Sequence, residues 1–433
     1  MEEIGQAATA AHQPSRRGFL RQVGAMAAAA PFFPAVLRLP SATARPGRGS
    51  TPIRHIVVAC QENHSFDTYF GYYPKAGSYG VPPGYTQPSG NGGTVAPHRF
   101  SSGILKDIPH EWATIHGEWD DGRMDGFYTT DGNEALGYFD SRILGFYYSL
   151  ADHFTLCGNY FCSLLGPTYP NRLCLCSGTS GGNTSDNIGP GSLNYPIMLD
   201  LLQAHGITFK SYNLGLGAAQ PGLNAPLLFA KWVNDPRLTR PEAELYRDLR
   251  NGTLPQVSFL APGIFYCEHP PAPVQWGQQK MSQVLNALIH SPVWTSIAFF
   301  LTYDEGGGFF DHVAPPQFDA YGAGIRVPTL VVSPFAKRGH VEGMQYEHSS
   351  ILKFIELVFG LPTLASINHQ FDVQTPGTNN DAARGQPYGP PQPPRDGRSD
   401  IGDMTECFDF TQSARYRPHL APAPPGPSRR TVI

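Results

Sequence analysis

Two short apolar runs, each ending abruptly in polar side chains, constrain this chain more than anything else in it. Residues 53–59 (IRHIVVA) lead into Gln61-Glu62-Asn63-His64, and residues 297–302 (IAFFLT) lead into Tyr303-Asp304-Glu305 and three glycines. Such runs read as buried strands. Between and after them the pattern alternates. Helical spacing appears at 141–150, 169–177, 197–205, 241–249, 279–290 and 349–359, and further strands are expected at 207–212, 257–260 and 327–332. Strands alternating with helices predict an α/β fold with a mainly parallel central sheet. Open sheets of this kind bind ligands at the carboxyl ends of their strands, where both polar clusters fall.

At 433 residues and 41% hydrophobic, the chain can bury one large core or two ordinary ones. Its net charge of −4 supplies no basic surface for a phosphate backbone, so no nucleic-acid partner is expected. Ser15-Arg16-Arg17-Gly18-Phe19-Leu20 precedes an Ala-rich apolar run over 23–39, and Ala42-Thr43-Ala44 follows. This order predicts a twin-arginine-type signal over 1–44, with the twin-arginine export machinery as a partner. The protein is then periplasmic, secreted or cell-wall associated. A catalytic domain is expected over 45–365, and a Pro- and Gly-rich wrapping segment and tail over 366–433, disordered from 418. Residues 74–98 read as a long loop. The seven cysteines, an odd number, are expected as buried free thiols with at most one bridge.

Glu62, Asn63, Asp304 and Glu305 offer oxygen ligands of the type that hold one divalent ion, whether calcium, magnesium, manganese or zinc. Adjacent carboxylates repel unless a cation lies between them. In residues 166–172 (GPTYPNR), a hydroxyl on a tight turn opening a helix faces amides that favour an anion. Thr168 is therefore a candidate nucleophile. Asn171 and Arg172 are assigned to substrate, Arg172 alternatively to a metal-binding carboxylate. Among the histidines, His110, His116, His269, His312 and His348 sit in polar or glycine-rich surroundings, where some could orient phosphate oxygens or protonate a leaving group. The apolar side chains of 213–235, including Leu214, Leu216, Leu223, Leu227, Leu228 and Phe229, suit either lipid contact or a core.

ENHSFDTYFG (62–71), GPTYPNR (166–172) and YDEGGGFFDHVAPP (303–316), in that order, resemble the bacterial phospholipase C family. Its relatives include acid phosphatases of the alkaline-phosphatase-like superfamily. DIPHEW (107–112), MDGF (124–127), EHP (268–270), VPTLVVSPFAKRG (327–339), EHSSILKFIE (347–356) and DMTECFDF (403–410) extend the match over most of 52–410. The resemblance implies a three-layer α/β/α sandwich of alkaline-phosphatase-like kind. It implies one metal held by Glu62, Asn63, Asp304 and Glu305, with Thr168 as a nucleophile that also touches the metal. His110, His269, His312 and His348 match active-site histidines. Gly306 stands where the family frequently has histidine. The implied activity is phosphoric-ester hydrolysis, with phospholipase C action on phosphatidylcholine-like diesters and peripheral membrane contact. An acid phosphatase on the same scaffold and an inactive secreted binding protein are the alternatives.

Overall fold

A computed structural model describes residues 51–215, 223–367 and 392–428. The signal expected over 1–44 lies outside them. Strand β1 (His55–Gln61) is the centre of an eight-stranded sheet. The others are β2 (Thr155–Cys157), β3 (Phe209–Leu214), β4 (Arg240–Pro241), β5 (Val257–Pro262), β6 (Ile297–Tyr303), β7 (Leu330–Val332) and β8 (His340–Glu342). Their spatial order is β8-β2-β7-β6-β1-β5-β3-β4. All pairings are parallel except the two made by β7, so the sheet is mixed but mainly parallel. All seven residues of β6 are buried, as a strand covered on both faces requires.

Helices cover both faces. Helix α3 (Ser141–His153), α6 (Glu242–Asn251) and α7 (Val274–Ile289) pack together, as do α4 (Thr168–Ser177), α5 (Met198–Ala204) and α8 (Ser349–Phe359). Two shorter helices, α1 (Phe66–Phe70) and α2 (Trp112–Trp119), belong to the loops above the strand ends. The result is an α/β/α sandwich around a mixed sheet, as expected. Among the described residues no helix is long and apolar enough to cross a membrane.

Helix α7 starts at Val274, five residues before the expected 279. Gly277 reads as a breaker in sequence, yet a Cβ there would lie 2.2 Å from Glu268 Oε1, so its lack of a side chain is a packing requirement. Strands β2, β4 and β8 span two or three residues each, too few for any periodicity to show. The loop expected over 74–98 contains a small ladder pairing Gln87–Pro88 with Thr94–Val95.

The expected disorder from 418 is corrected for 418–428. Ser149 Oγ accepts from the Ala421 amide (2.9 Å), and Trp276 Nε1 donates to the Pro427 carbonyl (3.1 Å). A Pro-rich segment cannot form regular structure, but its carbonyls still accept. Leu214, Leu227, Leu228 and Phe229 are no more than 5% exposed. They belong to the core and do not meet lipid, while Leu216 lies outside the described residues. All seven cysteines are buried and free.

Candidate active site

The register of β1 and β6 creates the site. Gln61 pairs with Tyr303, so Glu62 and Asp304 leave the sheet side by side. Asn63 turns the chain with φ 60°, a left-handed conformation that asparagine tolerates. Its amide donates to Asp304 Oδ1 (3.2 Å). Gly307 (φ +66°) lies against this turn, and a Cβ there would stand 2.2 Å from the Asn63 carbonyl oxygen. That close approach explains why glycine follows the acidic pair.

Arg172, buried on α4, joins the two strand ends. Its Nη2 donates to Glu62 Oε1 (2.6 Å) and its Nε to Asp304 Oδ2 (3.0 Å). Nη2 also reaches the Cys60 and Gln61 carbonyls at 3.1 Å each. Its guanidinium is thus engaged by carboxylates and strand ends, the second of the two roles expected for it. The substrate role given to Asn171 is corrected. Its Oδ1 accepts from the Ser163 and Leu164 amides (2.8 and 3.1 Å), and its Nδ2 donates to the Gly166 carbonyl (2.7 Å). It shapes the turn that presents Thr168. Thr168 is the first residue of α4, and its hydroxyl lies 3.4 Å from Glu62 Oε2.

Burial and the Asp304 charge raise the Glu62 carboxyl, with Arg172 offsetting part of the rise. Burial also works against the Asp304 charge, yet Arg172 holds that carboxyl below its usual range. Burial lifts Glu305 to about 8, with His110 opposing the shift and Asp304 adding to it. A dry cluster of three carboxylates and one guanidinium must hold a proton or a further cation. Two buried oxygens, Asn63 Oδ1 and Glu305 Oε1, have no hydrogen-bond partner among the described residues. Unpaired oxygens beside an excess of negative charge fit a divalent ion with oxygen ligands.

The histidines divide. His110 donates from Nδ1 to the Ile108 carbonyl (2.7 Å). Its Nε2 faces Asn63 Nδ2 at 3.0 Å and Glu305 Oε1 at 4.0 Å. Burial opposes its charge, but Glu305 and the Ile108 carbonyl carry its pKa up to about 9. In the neutral form, the Nδ1–H leaves Nε2 to accept from the Asn63 amide, which directs Asn63 Oδ1 away from it. The His269 ring centre lies 5.5 Å from that of His110, and its Nδ1 donates to the Pro270 carbonyl (2.6 Å). Asp107, His110 and His269 form a cluster able to hold a metal.

His348 is fully buried, donating from Nε2 to the Asp304 carbonyl (2.8 Å) with Nδ1 toward the Tyr160 hydroxyl (3.2 Å). Both nitrogens are used in hydrogen bonds at the strand end. His312 belongs to a second metal-capable cluster with Asp67 and Asp311. There the fully buried Arg326 pairs with Asp67 (3.1 Å) and Asp311 (2.9 Å), so a cation is already in place. His312 Nδ1 lies 2.6 Å from Asp67 Oδ2 within this network. His116 donates to the Trp112 carbonyl of its own helix (2.7 Å). Sequence reasoning did not find Glu268, which accepts hydrogen bonds from three tyrosines and from Gln61. Its signals in the sequence were its place in the EHP segment (268–270) and the adjacency of Gln61 to Glu62 and of Tyr303 to Asp304.

A model of the Phosphoesterase family matches residues 53–362. The chain is 32% identical over 495 residues to a non-hemolytic phospholipase C of Burkholderia pseudomallei, covering 94% of this chain and 66% of that protein. It is 30% identical over 429 residues to a hemolytic phospholipase C of Pseudomonas aeruginosa, covering 80% and 59%. It is 32% identical over 494 residues to phospholipase C B of Mycobacterium tuberculosis, covering 96% and 87%. The chain thus spans about two thirds or less of the first two relatives.

Proposed function

Because the chain belongs to the phosphoesterase family, we propose that it is an exported, metal-dependent phospholipase C with Thr168 as nucleophile, acting on phosphatidylcholine-like diesters. The observation that supports this reading is the adjoining ends of β1 and β6, where the Asn63 amide donates to Asp304 Oδ1 and Thr168 lies 3.4 Å from Glu62 Oε2, beside buried oxygens of Asn63 and Glu305 that have no hydrogen-bond partner among the described residues. These five side chains would hold the ion. When bound, it would polarise a phosphoryl oxygen and favour ionisation of a hydroxyl.

The Thr168 hydroxyl donates to Glu62 Oε2 (3.4 Å); ionised, as it would be when holding the ion, Glu62 takes that proton as the oxygen attacks phosphorus. A P–O bond forms to Thr168, and the bond to the leaving alcohol breaks on the opposite side. His269, whose Nδ1 is tied to the Pro270 carbonyl, offers Nε2 to protonate the departing oxygen. Water then attacks phosphorus and gives a proton to the now neutral His269, while the Thr168 oxygen leaves and takes back the proton held by Glu62. Neutral His110 accepts from the Asn63 side-chain amide at Nε2 and so orients it.

Lipid contact is supported at the rim. Ile264 and Phe265 are 51% and 44% exposed on a turn just before Cys267-Glu268-His269. Export is supported by Arg16-Arg17 and the apolar run after them.

The test compares hydrolysis of phosphatidylcholine with that of a nitrophenyl phosphate monoester, each with and without chelator. Diester hydrolysis abolished by chelation is expected, and monoester preference replaces the phospholipase reading with a phosphatase. Thr168→Ala should lower turnover by at least about a thousandfold while leaving the melting temperature of the chelated protein unchanged. Wild-type turnover in that variant removes the nucleophile assignment.

A further inference from the structure

Glu268 is an acidic side chain with no exposure at all, placed just before His269. Its Oε2 accepts from Tyr69 and Tyr303 at 2.6 Å each, and its Oε1 from Gln61 Nε2 at 3.1 Å and from Tyr147. The four donors come from α1, the end of β6, the end of β1 and α3. Two of them immediately precede the proposed ligands: Gln61 comes before Glu62, and Tyr303 before Asp304. The backbone closes the same loop. Glu62 N donates to the Cys267 carbonyl (2.8 Å), and Asp304 N to the Gln61 carbonyl (3.2 Å). The carboxylate also dictates its surroundings. Glu268 takes φ 73°, and α7 passes it with Gly277, where any side chain would collide.

Burying a carboxylate is costly, and an apolar replacement for a buried polar network is often as stable. What a network of this kind supplies is fixed geometry. We propose that Glu268 is a positioning residue that sets the spacing between the Glu62–Asn63 and Asp304–Glu305 pairs and the approach of His269. This rests on the function proposed above. Glu268 touches none of the reacting atoms. It acts through Gln61, Tyr303 and the peptide bond to His269, three lines that converge on the site from the protein interior.

The test uses Glu268→Gln, Tyr303→Phe and a control. Tyr73→Phe removes a comparable bond to a carboxylate, the 2.6 Å contact with Asp152, outside the site. For each protein, calorimetry with MnCl2, CaCl2 or ZnCl2 alone gives ion affinity. Turnover of bis-nitrophenyl phosphate gives kcat and KM, and thermal melts give stability. Loss of a partner behind metal ligands characteristically costs about 10- to 100-fold in affinity or activity. Glu268→Gln and Tyr303→Phe should fall in that range for ion affinity and kcat, with KM changed less than about threefold. Tyr73→Phe should lose similar stability and keep both.

Ion affinity and kcat within twofold of wild type in Glu268→Gln and Tyr303→Phe overturn the proposal, whatever the melts show. Should Glu268→Gln fail to fold, Tyr303→Phe decides. Wild-type protein that neither binds an ion nor cleaves the ester removes the function proposed above and the positioning role with it. A competent wild type with unaltered variants removes the positioning role alone.

Discussion

At the scale of single residues, one buried charge, Arg172, holds the site's acidic groups together. Arg172 is the counter-ion of Glu62 and Asp304. Arg172→Met should cost about 3–5 kcal/mol, because it leaves paired carboxylates uncompensated. Thermal melts should show that loss shrinking as pH falls, since protonation then removes the repulsion; a variant equally destabilised at pH 5 and pH 8 would contradict this origin. Glu356 and Asp396 form an acidic pair elsewhere, joined through the Leu364 amide. Burial and Asp396 push the Glu356 carboxyl up to about 10. A folded pKa above the unfolded one binds extra protons in the native state. Stability is therefore greatest below the unfolded value and is lost as pH rises toward 10. Glu356→Gln should raise the melting temperature at pH 8 by about 2–4 °C and change little at pH 4.

At the scale of elements, strand ends and turns position the chemistry. Parallel pairing of β1 with β6 delivers two acidic pairs to one edge, and α4 brings Thr168 and Arg172 to the same place. The turn carrying Ile264 and Phe265 is pinned by Tyr266 N to the Gly263 carbonyl (2.7 Å) and Gly263 N to the Leu214 carbonyl (2.7 Å). Two large apolar side chains held outward favour an interface with acyl chains. Ile264→Ser with Phe265→Ser should slow hydrolysis of phosphatidylcholine vesicles by about tenfold, while a soluble diester is cleaved as before. Equal loss on both substrates would show that the turn shapes the site instead.

At the scale of the whole molecule, the proposed ion links segments far apart in sequence. Any ligand that binds only the folded state stabilises it, by about 2.7 kcal/mol at a hundredfold excess over Kd. Melting temperature should therefore rise with the logarithm of free ion concentration and fall on chelation. A melt indifferent to chelator would mean that the cation is no part of the native state. The C-terminal segment contributes differently: Phe408 stacks on Phe354 (4.9 Å) and on Phe410 (5.4 Å), and Arg395 pairs with Asp319 (2.8 Å). It covers the core without adding a layer.

Much of this was legible in one dimension. Apolar runs such as 297–302 and helical spacing such as 349–359 report burial directly, because periodicity is imposed by which faces meet solvent. The α/β class and the polar strand ends followed from them. The carboxylate partners of Arg172 were among its expected roles, but the bonding partners of Asn171, His312 and His348 were not legible. A polar side chain near a reactive segment serves substrate or scaffold according to which groups surround it, and those groups come from elsewhere in the chain. Glu268 illustrates the limit: its four donors lie between 35 and 207 residues away, and only the packed core brings them onto one carboxylate.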